Sequence, residues 1–307
     1  MNILPVSSKP FDVVGFGLSS VDHLCLVPRH PRLDSKQPLV QYDVQPGGQV
    51  PTALVALQRW GMRTAYVGSF GDDVGGTIAR SALAVDEVDI EATVTRRNAR
   101  QQVSVILIDE VTGERSVLWQ RVPELILQLH ELERGALTRG RVLLMDAVDL
   151  PTAIQAARWA REAGVMTVLD VDTPSPGIDE LLALTDVLIV GAEFPQRLTG
   201  LVDLRAALRA AAQRGPWFAG VTLGPGGALA VVHGKLHYVE AYRVPVVDST
   251  GAGDLFHAGC IYGLLQGWSA AETLRFAAAA AALKCRQLGG RPGIPTVAAA
   301  AALAQVG

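Results

Sequence analysis

The sequence predicts an α/β protein: a doubly wound, mostly parallel sheet flanked by helices, with a small β-sheet lid. Three observations predict this. Short apolar strand patterns alternate with helical patterns along much of the chain, which is how a parallel sheet covered on both faces reads. Two stretches, about 18–45 and 93–120, carry strand patterns with no helix in them. The chain has 307 residues, 49% hydrophobic and 19% charged, enough to bury a large core.

Asp12–Gly17 reads as a first strand ending in a glycine turn. Asp22–Val27 and Pro38–Val44 read as strands without helices. Thr52–Trp60 places small and apolar residues at helical spacing, and Gly61 stops it. Thr64–Gly68 is a strand and Gly75–Ala84 a helix. Val103–Asp109, a turn at Thr112-Gly113 and Arg115–Trp119 form a hairpin pattern. Alternation then returns, with strands at Val142–Met145, Val165–Asp170, Asp186–Val190 and Gly220–Leu223, and helices at Pro151–Ala163 and Asp203–Arg214. An apolar strand is expected to end at Val247, and the remainder is helical: Gly253–Gln266, Ala270–Cys285 and Val297–Gln305. The helix-free patches are placed as a lid, residues 18–45 and 93–120, over the carboxyl ends of the main strands, where ligands bind in this architecture. Residues 1–17, 46–92 and 121–307 then form the main domain.

The net charge is −3, and no basic excess points to nucleic acid or a membrane surface. Cys25, Cys260 and Cys285 are widely spaced with no CxxC pair. That argues against a disulfide framework or zinc site and for a reduced, cytoplasmic setting. The N-terminal residues lack the basic-then-apolar order of a signal peptide. Apolar runs such as Ala277–Leu283 are far shorter than the roughly 20 residues that span a bilayer.

The strongest chemical signal is Asp248-Ser-Thr250-Gly251-Ala252-Gly253-Asp254, followed by Leu-Phe-His-Ala-Gly259. Tiny residues at the start of a helix let an anion meet backbone N–H groups at the positive end of the helix dipole. Asp254 in that first turn would repel a phosphate unless the chemistry needs a base there. An anion cradle plus a base that orients a hydroxyl is what phosphoryl transfer requires. The plainer alternative, a glycine turn with a helix-start carboxylate, explains one glycine better than this cluster.

DSTGAGD resembles the C-terminal signature of the ribokinase-like (PfkB) carbohydrate kinases, and the resemblance spans nearly the whole chain. Pro46-Gly47-Gly48 through Gly61 is similar to that family's glycine-pair motif, Gly71-Asp72-Asp73-Val-Gly75 to its G-D-D-x-x-G segment, Val221–Gly227 to its nucleotide-side turn, and Leu288–Pro295 to its closing loop. The resemblance implies an ATP-dependent kinase acting on a sugar or sugar derivative. It implies Asp254 as catalytic base and Gly251, Ala252 and Gly253 as anion hole. Asp22, Gly47, Gly48, Gln49 and Thr52 would face the sugar, and Thr222, Gly224 and Gly227 the nucleotide. ATP and Mg²⁺ are the implied cofactors. Asp248 and Thr250, with carbonyls near Arg286–Gly293, are similar to the family's monovalent-cation site, implying K⁺. The family also implies a homodimer formed through the lid. From the residues alone, Asp22 reads as a solvated turn carboxylate and Gly47-Gly48 equally as a helix-leading turn. Asp72 and Asp73 read as a helix N-cap pair, and His257 as packing or capping.

The chain departs from the family pattern in places. The usual N-x-x-E segment reads Val190-Gly-Ala-Glu193, which leaves only Glu193 for Mg²⁺. Gln49 and Thr52 stand where asparagine or lysine commonly reach the sugar, so ribose and fructose are disfavoured. Asp146 adds a hydroxyl acceptor. A phosphorylated sugar would need lid arginines such as Arg29, Arg96, Arg97 or Arg115. A nucleoside kinase of the same fold is the main rival. A dinucleotide oxidoreductase is weaker, because Gly15-Phe-Gly17 lacks the third glycine of that fingerprint. No Walker GxxxxGK[ST] is present.

Overall fold

The structure is a computed structural model describing residues 9–306; most of the N-terminal segment read above for a signal peptide lies outside the described residues. In chain order the elements are β1 (Phe11–Phe16), β2 (Ser20–Val27), β3 (Gln41–Gly47), α1 (Gln49–Arg59), β4 (Thr64–Gly71), α2 (Val74–Val85), β5 (Thr93–Arg96), β6 (Val103–Asp109) and β7 (Arg115–Gln120). Then follow α3 (Arg134–Leu137), β8 (Gly140–Asp146), α4 (Leu150–Glu162), β9 (Met166–Asp170), α5 (Ile178–Ala183), β10 (Val187–Gly191), α6 (Phe194–Thr199), α7 (Leu204–Ala212) and β11 (Phe218–Thr222). The chain closes with β12 (Ala228–Val232), β13 (Lys235–Val239), α8 (Ala252–Leu265), α9 (Ala270–Lys284) and α10 (Val297–Ala304).

A nine-stranded sheet runs β13-β12-β11-β10-β9-β8-β1-β4-β5. All pairs from β5 to β11 are parallel, and only the β11–β12–β13 end is antiparallel. β4 and β8 are buried along their full length, as strands covered on both faces must be. One face packs under α1, α8 and α9, with Leu54, Leu57, Ile261 and Phe276 inside. The other packs under α4, α5 and α7, with Ala156, Leu181 and Leu208 inside. The carboxyl ends of the strands are thereby left for ligands.

The second sheet has four strands, ordered β3-β2-β6-β7. Leu24, Leu26, Ile106 and Ile108 form its inner apolar row, packed against Leu288 of the closing loop. Alternation puts Asp22 on the same side as these residues.

Four local expectations change. Thr93–Arg96, expected in the lid, pairs instead with Gly68–Gly71 of the large sheet; a four-residue strand pattern says nothing about which sheet it joins. The strand expected to end at Val247 is absent. The N–H groups of Val247 and Asp248 both donate to Cys285 O, at 2.8 and 3.1 Å, so the end of α9 holds this segment. Third, β12–β13 is a hairpin turning at His233-Gly234, both with positive φ, 46° and 79°. His-Gly is a weaker hairpin signal than Asn-Gly, and this pair of strands was not expected. Last, Asp73 caps α2 by accepting from Gly76 N at 2.8 Å, whereas Asp72 accepts from Asn98 N at 2.8 Å and is no cap.

Candidate active site

Gly251 opens α8 with φ 79°, a left-handed conformation that favours glycine. A Cβ there would also lie 2.8 Å from Gly290 Cα. The helix starts at Ala252, one residue earlier than the sequence suggests. The first N–H groups of a helix have no intrahelical partner. Ala252 N donates back to Ser249 O at 3.2 Å, so its N–H is already engaged. A Cβ on Gly253 would meet nothing within 4 Å. The turn therefore faces open space at Gly253, while Gly251 is wedged against the closing loop.

Asp254 follows in the first turn of α8. Burial, and then the nearby Asp170 carboxylate, push its pKa up to about 8. Asp170, at the end of β9, is itself held well above the ordinary carboxylate range by burial and by Asp172. His257 lies one turn further on, with Nδ1 2.9 Å from Gly253 O and Nε2 3.1 Å from Ile189 O. Asp170 Oδ2 is 3.6 Å from the same Nδ1. The packing role expected of His257 is present and more specific than expected: the ring ties the first turn of α8 to β10.

Asp22 stands in a row that crosses the lid. Gln45, Asp22, Ser104 and Trp119 are directly opposed on four adjacent strands. Ser20 Oγ donates to Asp22 Oδ1 at 3.1 Å. Burial raises the Asp22 pKa, against the hydrogen bonds from Ser20 and Ser104. A Cβ on Gly47 would lie 2.3 Å from both Asp22 oxygens, so this glycine makes the room the carboxylate occupies. Gly48, with φ 95°, starts α1. Gln49 Nε2 donates to Asp170 Oδ1 at 3.3 Å and to Asp172 Oδ2 at 3.4 Å. Thr52 is buried beneath Gly290.

Asp146, at the end of β8, stands directly opposite Asp170 on the neighbouring β9. Its Oδ2 accepts from Leu18 N at 2.7 Å and its Oδ1 from Val148 N at 3.2 Å, and burial raises its pKa to about 6. It lines a cavity shared with Ser69, Gln102, Leu125 and Thr152. Its carboxylate is engaged in holding the β1–β2 turn.

Thr222 ends β11, and its hydroxyl donates to Val190 O at 3.4 Å. Gly224 and Gly227 have φ 55° and 83°, and a Cβ on Gly227 would strike Val239 O at 2.1 Å. These glycines shape the β11–β12 turn. Glu193 sits exposed at the end of β10, paired with Arg197. Among the described residues, no group of three His, Cys, Asp or Glu side chains is arranged to hold a metal ion.

Asp248 is fully buried. Its Oδ1 accepts from Thr250 N at 2.8 Å within the same turn, and its Oδ2 accepts from Gly289 N at 2.7 Å and so ties this turn to the closing loop. Thr250 Oγ1 is buried with no hydrogen-bond partner. Two cations near these loops were not anticipated. Lys284 Nζ donates to Asp248 O at 2.9 Å. Arg291 Nη2 donates to Gly47 O at 3.2 Å, while its Nε and Nη1 have no partner. Burial pushes the Arg291 guanidinium down to about 10, and the Asp22 charge partly offsets this. Lys284 had one visible signal: a lone charge ending a long alanine run.

From the lid, Arg115 Nη1 donates to Ser249 Oγ at 2.7 Å. Arg121 lies over the Trp119 ring at 4.6 Å, near Asp146 and Asp172.

The sequence is similar to several curated kinases. The ribokinase of Haemophilus influenzae is 27% identical over 293 residues, covering 91% of this chain and 94% of that one. The ribokinase of Arabidopsis thaliana is 30% identical over 250 residues, covering 76% of this chain and 65% of that one. The 5-dehydro-2-deoxygluconokinase of Clostridium perfringens is 22% identical, covering 94% and 91%. The fold matches that of A. thaliana ribokinase complexed with ribose and ATP, with TM-score 0.80, 24% identity and coverage of 97% and 99%. It also matches adenosine kinase from Sinorhizobium meliloti, with TM-score 0.83, 23% identity and coverage of 96% and 99%. The description "pfkB family carbohydrate kinase" matches residues 11–297. With that match spanning a chain whose glycine turn, buried aspartate and lid are all in place, this protein belongs to the pfkB family of carbohydrate kinases.

Proposed function

We propose that this kinase transfers the γ-phosphoryl group of ATP to a hydroxyl of a sugar or sugar derivative, with Asp254 as general base. The observation that carries this reading is the placement of Asp254, buried in the first turn of α8 directly after the open glycine turn. The proton passes from the acceptor hydroxyl to Asp254 as the oxygen attacks the γ-phosphorus. The bond from that phosphorus to the β,γ-bridging oxygen breaks, and ADP leaves. Backbone N–H groups of Gly251 and Gly253, at the positive end of α8, stabilise charge on the transferring group. Asp22, supported by Ser104, accepts hydrogen bonds from sugar hydroxyls, and Gln49 presents its amide beside Asp170 and Asp172. Thr222, Gly224 and Gly227 line the nucleotide.

Mg²⁺ would come with the nucleotide and neutralise phosphate charge, and Glu193, exposed after β10, is the carboxylate of this chain that would face it. K⁺, which the family resemblance implies, does not fit the residues here: the Asp248 carboxylate is already bonded to two N–H groups, and its carbonyl to the Lys284 ammonium.

The test is a panel of sugars, sugar acids and nucleosides assayed for ADP release with Mg-ATP. At least one sugar or sugar acid is expected to turn over at roughly 1–100 s⁻¹, the usual range for kinases. Turnover of nucleosides alone would move the assignment to a nucleoside kinase. That second reading draws on Trp119, whose ring in the Asp22 row offers a surface for stacking a base.

A cytoplasmic setting is supported by three free, buried cysteines. Among the described residues no helix is long and apolar enough to cross a membrane. The lid supports a homodimer. Its outer face carries Tyr42, Val105 and Leu118, exposed at 53%, 38% and 57%, all pointing away from the Asp22 row. A twofold pairing covers such a face on both chains with one self-complementary surface. Light scattering at micromolar concentration should therefore give about twice 32.5 kDa. A monomer with full activity would remove the dimer from the reading.

A further inference from the structure

Lys284 is fully buried, yet it carries an ammonium group at the end of α9. A buried charge is costly unless it is hydrogen-bonded and balanced. Its partners are unusual in that both are backbone oxygens from different loops. Nζ donates to Asp248 O at 2.9 Å, at the start of the glycine turn, and to Gln287 O at 3.4 Å, at the start of the closing loop. The Asp248 carboxylate supplies the compensating charge. The same loops are joined by Gly289 N donating to Asp248 Oδ2 at 2.7 Å, and they pack so closely that a Cβ on Gly251 would touch Gly290. A compact cation donating to carbonyls of two loops does what a coordinated monovalent ion would do there. A K⁺ ion seeking those carbonyls would meet the ammonium, a like charge, already bonded to them. Thr250 Oγ1 is the one nearby hydroxyl without a partner, and a single hydroxyl is no cage.

We propose that the Lys284 side chain is a built-in monovalent cation. It pins the anion-hole turn to the closing loop, so the kinase needs no added K⁺. The position at the last residue of α9 suits this role, because a cation is favoured at a helix C-terminus. The proposal rests on reading Gly251–Gly253 as the anion hole and deepens that reading.

Two readouts test it on the full chain. With an acceptor found in the panel, initial rates with Mg-ATP are compared in potassium chloride and in choline chloride at equal ionic strength. The rates should agree within twofold. The Tm of the substrate-free protein should also be the same in both salts, since an ion that bound the folded state would raise it. A severalfold activation specific to K⁺, or a K⁺-specific rise in Tm, overturns the proposal. If no acceptor is found, the sugar-kinase reading fails on its own, and the Tm comparison still decides the cation site. Lys284→Ala should lower kcat at least tenfold and regain part of it with added methylammonium or K⁺. A folded Lys284→Ala enzyme with wild-type kcat in choline chloride would also overturn the proposal. Should that variant not fold, the wild-type comparison decides alone.

Discussion

Replacing Asp254 with asparagine is expected to lower kcat by roughly 10²–10⁴, the range for losing a general base, while the protein stays folded. The amide keeps the shape of the carboxylate and removes its ability to take a proton. The pH profile follows from the same group. In the free enzyme its pKa is raised to about 8, and only the ionised form is a base. The wild-type kcat/KM should therefore rise about tenfold per pH unit below that value and level off above it. Stability moves in the opposite direction. The unfolded chain releases this proton at an ordinary 3.8, the folded chain only near 8. Between those values the native state holds more protons, so its stability falls as pH rises. Asp254→Asn lacks the charge, and at pH 9 it should melt at least about 2 °C above wild type, the scale of a 1 kcal/mol change in a large domain. The difference should shrink as the pH is lowered through this window and vanish only below about 3.8, where both states hold the proton. Near-wild-type turnover in a folded Asn variant would remove Asp254 from the chemistry.

Gly253→Val should lose at least 10²–10³ in kcat, the cost of disabling one oxyanion donor. The structure separates this effect from misfolding. A Cβ at Gly253 meets no atom within 4 Å, so the branched side chain points into the space where a phosphoryl group would sit, not into protein. The variant should keep the wild-type circular dichroism spectrum and a Tm within a few degrees. Gly251 makes the contrast: its positive φ and its contact with Gly290 mean that any side chain there strains the backbone first. A folded Gly253→Val enzyme with normal kcat would show that the phosphoryl group passes elsewhere.

The glycine turn and its aspartate were legible because they are local: seven consecutive residues hold the turn, the buried Asp254 and the start of the helix. The βα alternation was legible for a similar reason, since burial on both faces leaves long apolar strands such as β8. What stayed hidden depends on long-range contact. Lys284 meets Asp248 through a backbone carbonyl, which no side chain advertises. Asp170 was read only as the last residue of a strand; its link to His257 and Gln49 needs three separate segments to converge. Asp146 was read as a hydroxyl acceptor; that Leu18 N and Val148 N donate to its carboxylate and that it stands opposite Asp170 could not be read from its own segment. β5 was assigned to the wrong sheet because a strand of four residues records its own alternation and nothing of its neighbour.

The two sheets end in four outermost strands, and they differ in what they offer another chain. β5 is only four residues long, with Arg96 paired to Glu131. β13 is short and begins with a lysine. β3 contains Pro46, which has no N–H, and Asp43. Short length, charge and proline are the usual ways of making a strand a poor template. β7 has little of this protection. It bonds to β6 on one side only, all six of its residues are exposed, and Val117-Leu118-Trp119 lie at its centre. Its outward row of N–H and C=O groups is the place where a foreign strand would add. Among the described edge strands, the one that carries Trp119 in the Asp22 row and bonds Arg115 to Ser249 is thus also the most prone to aggregation, and whatever covers the lid also protects the protein from polymerising through it.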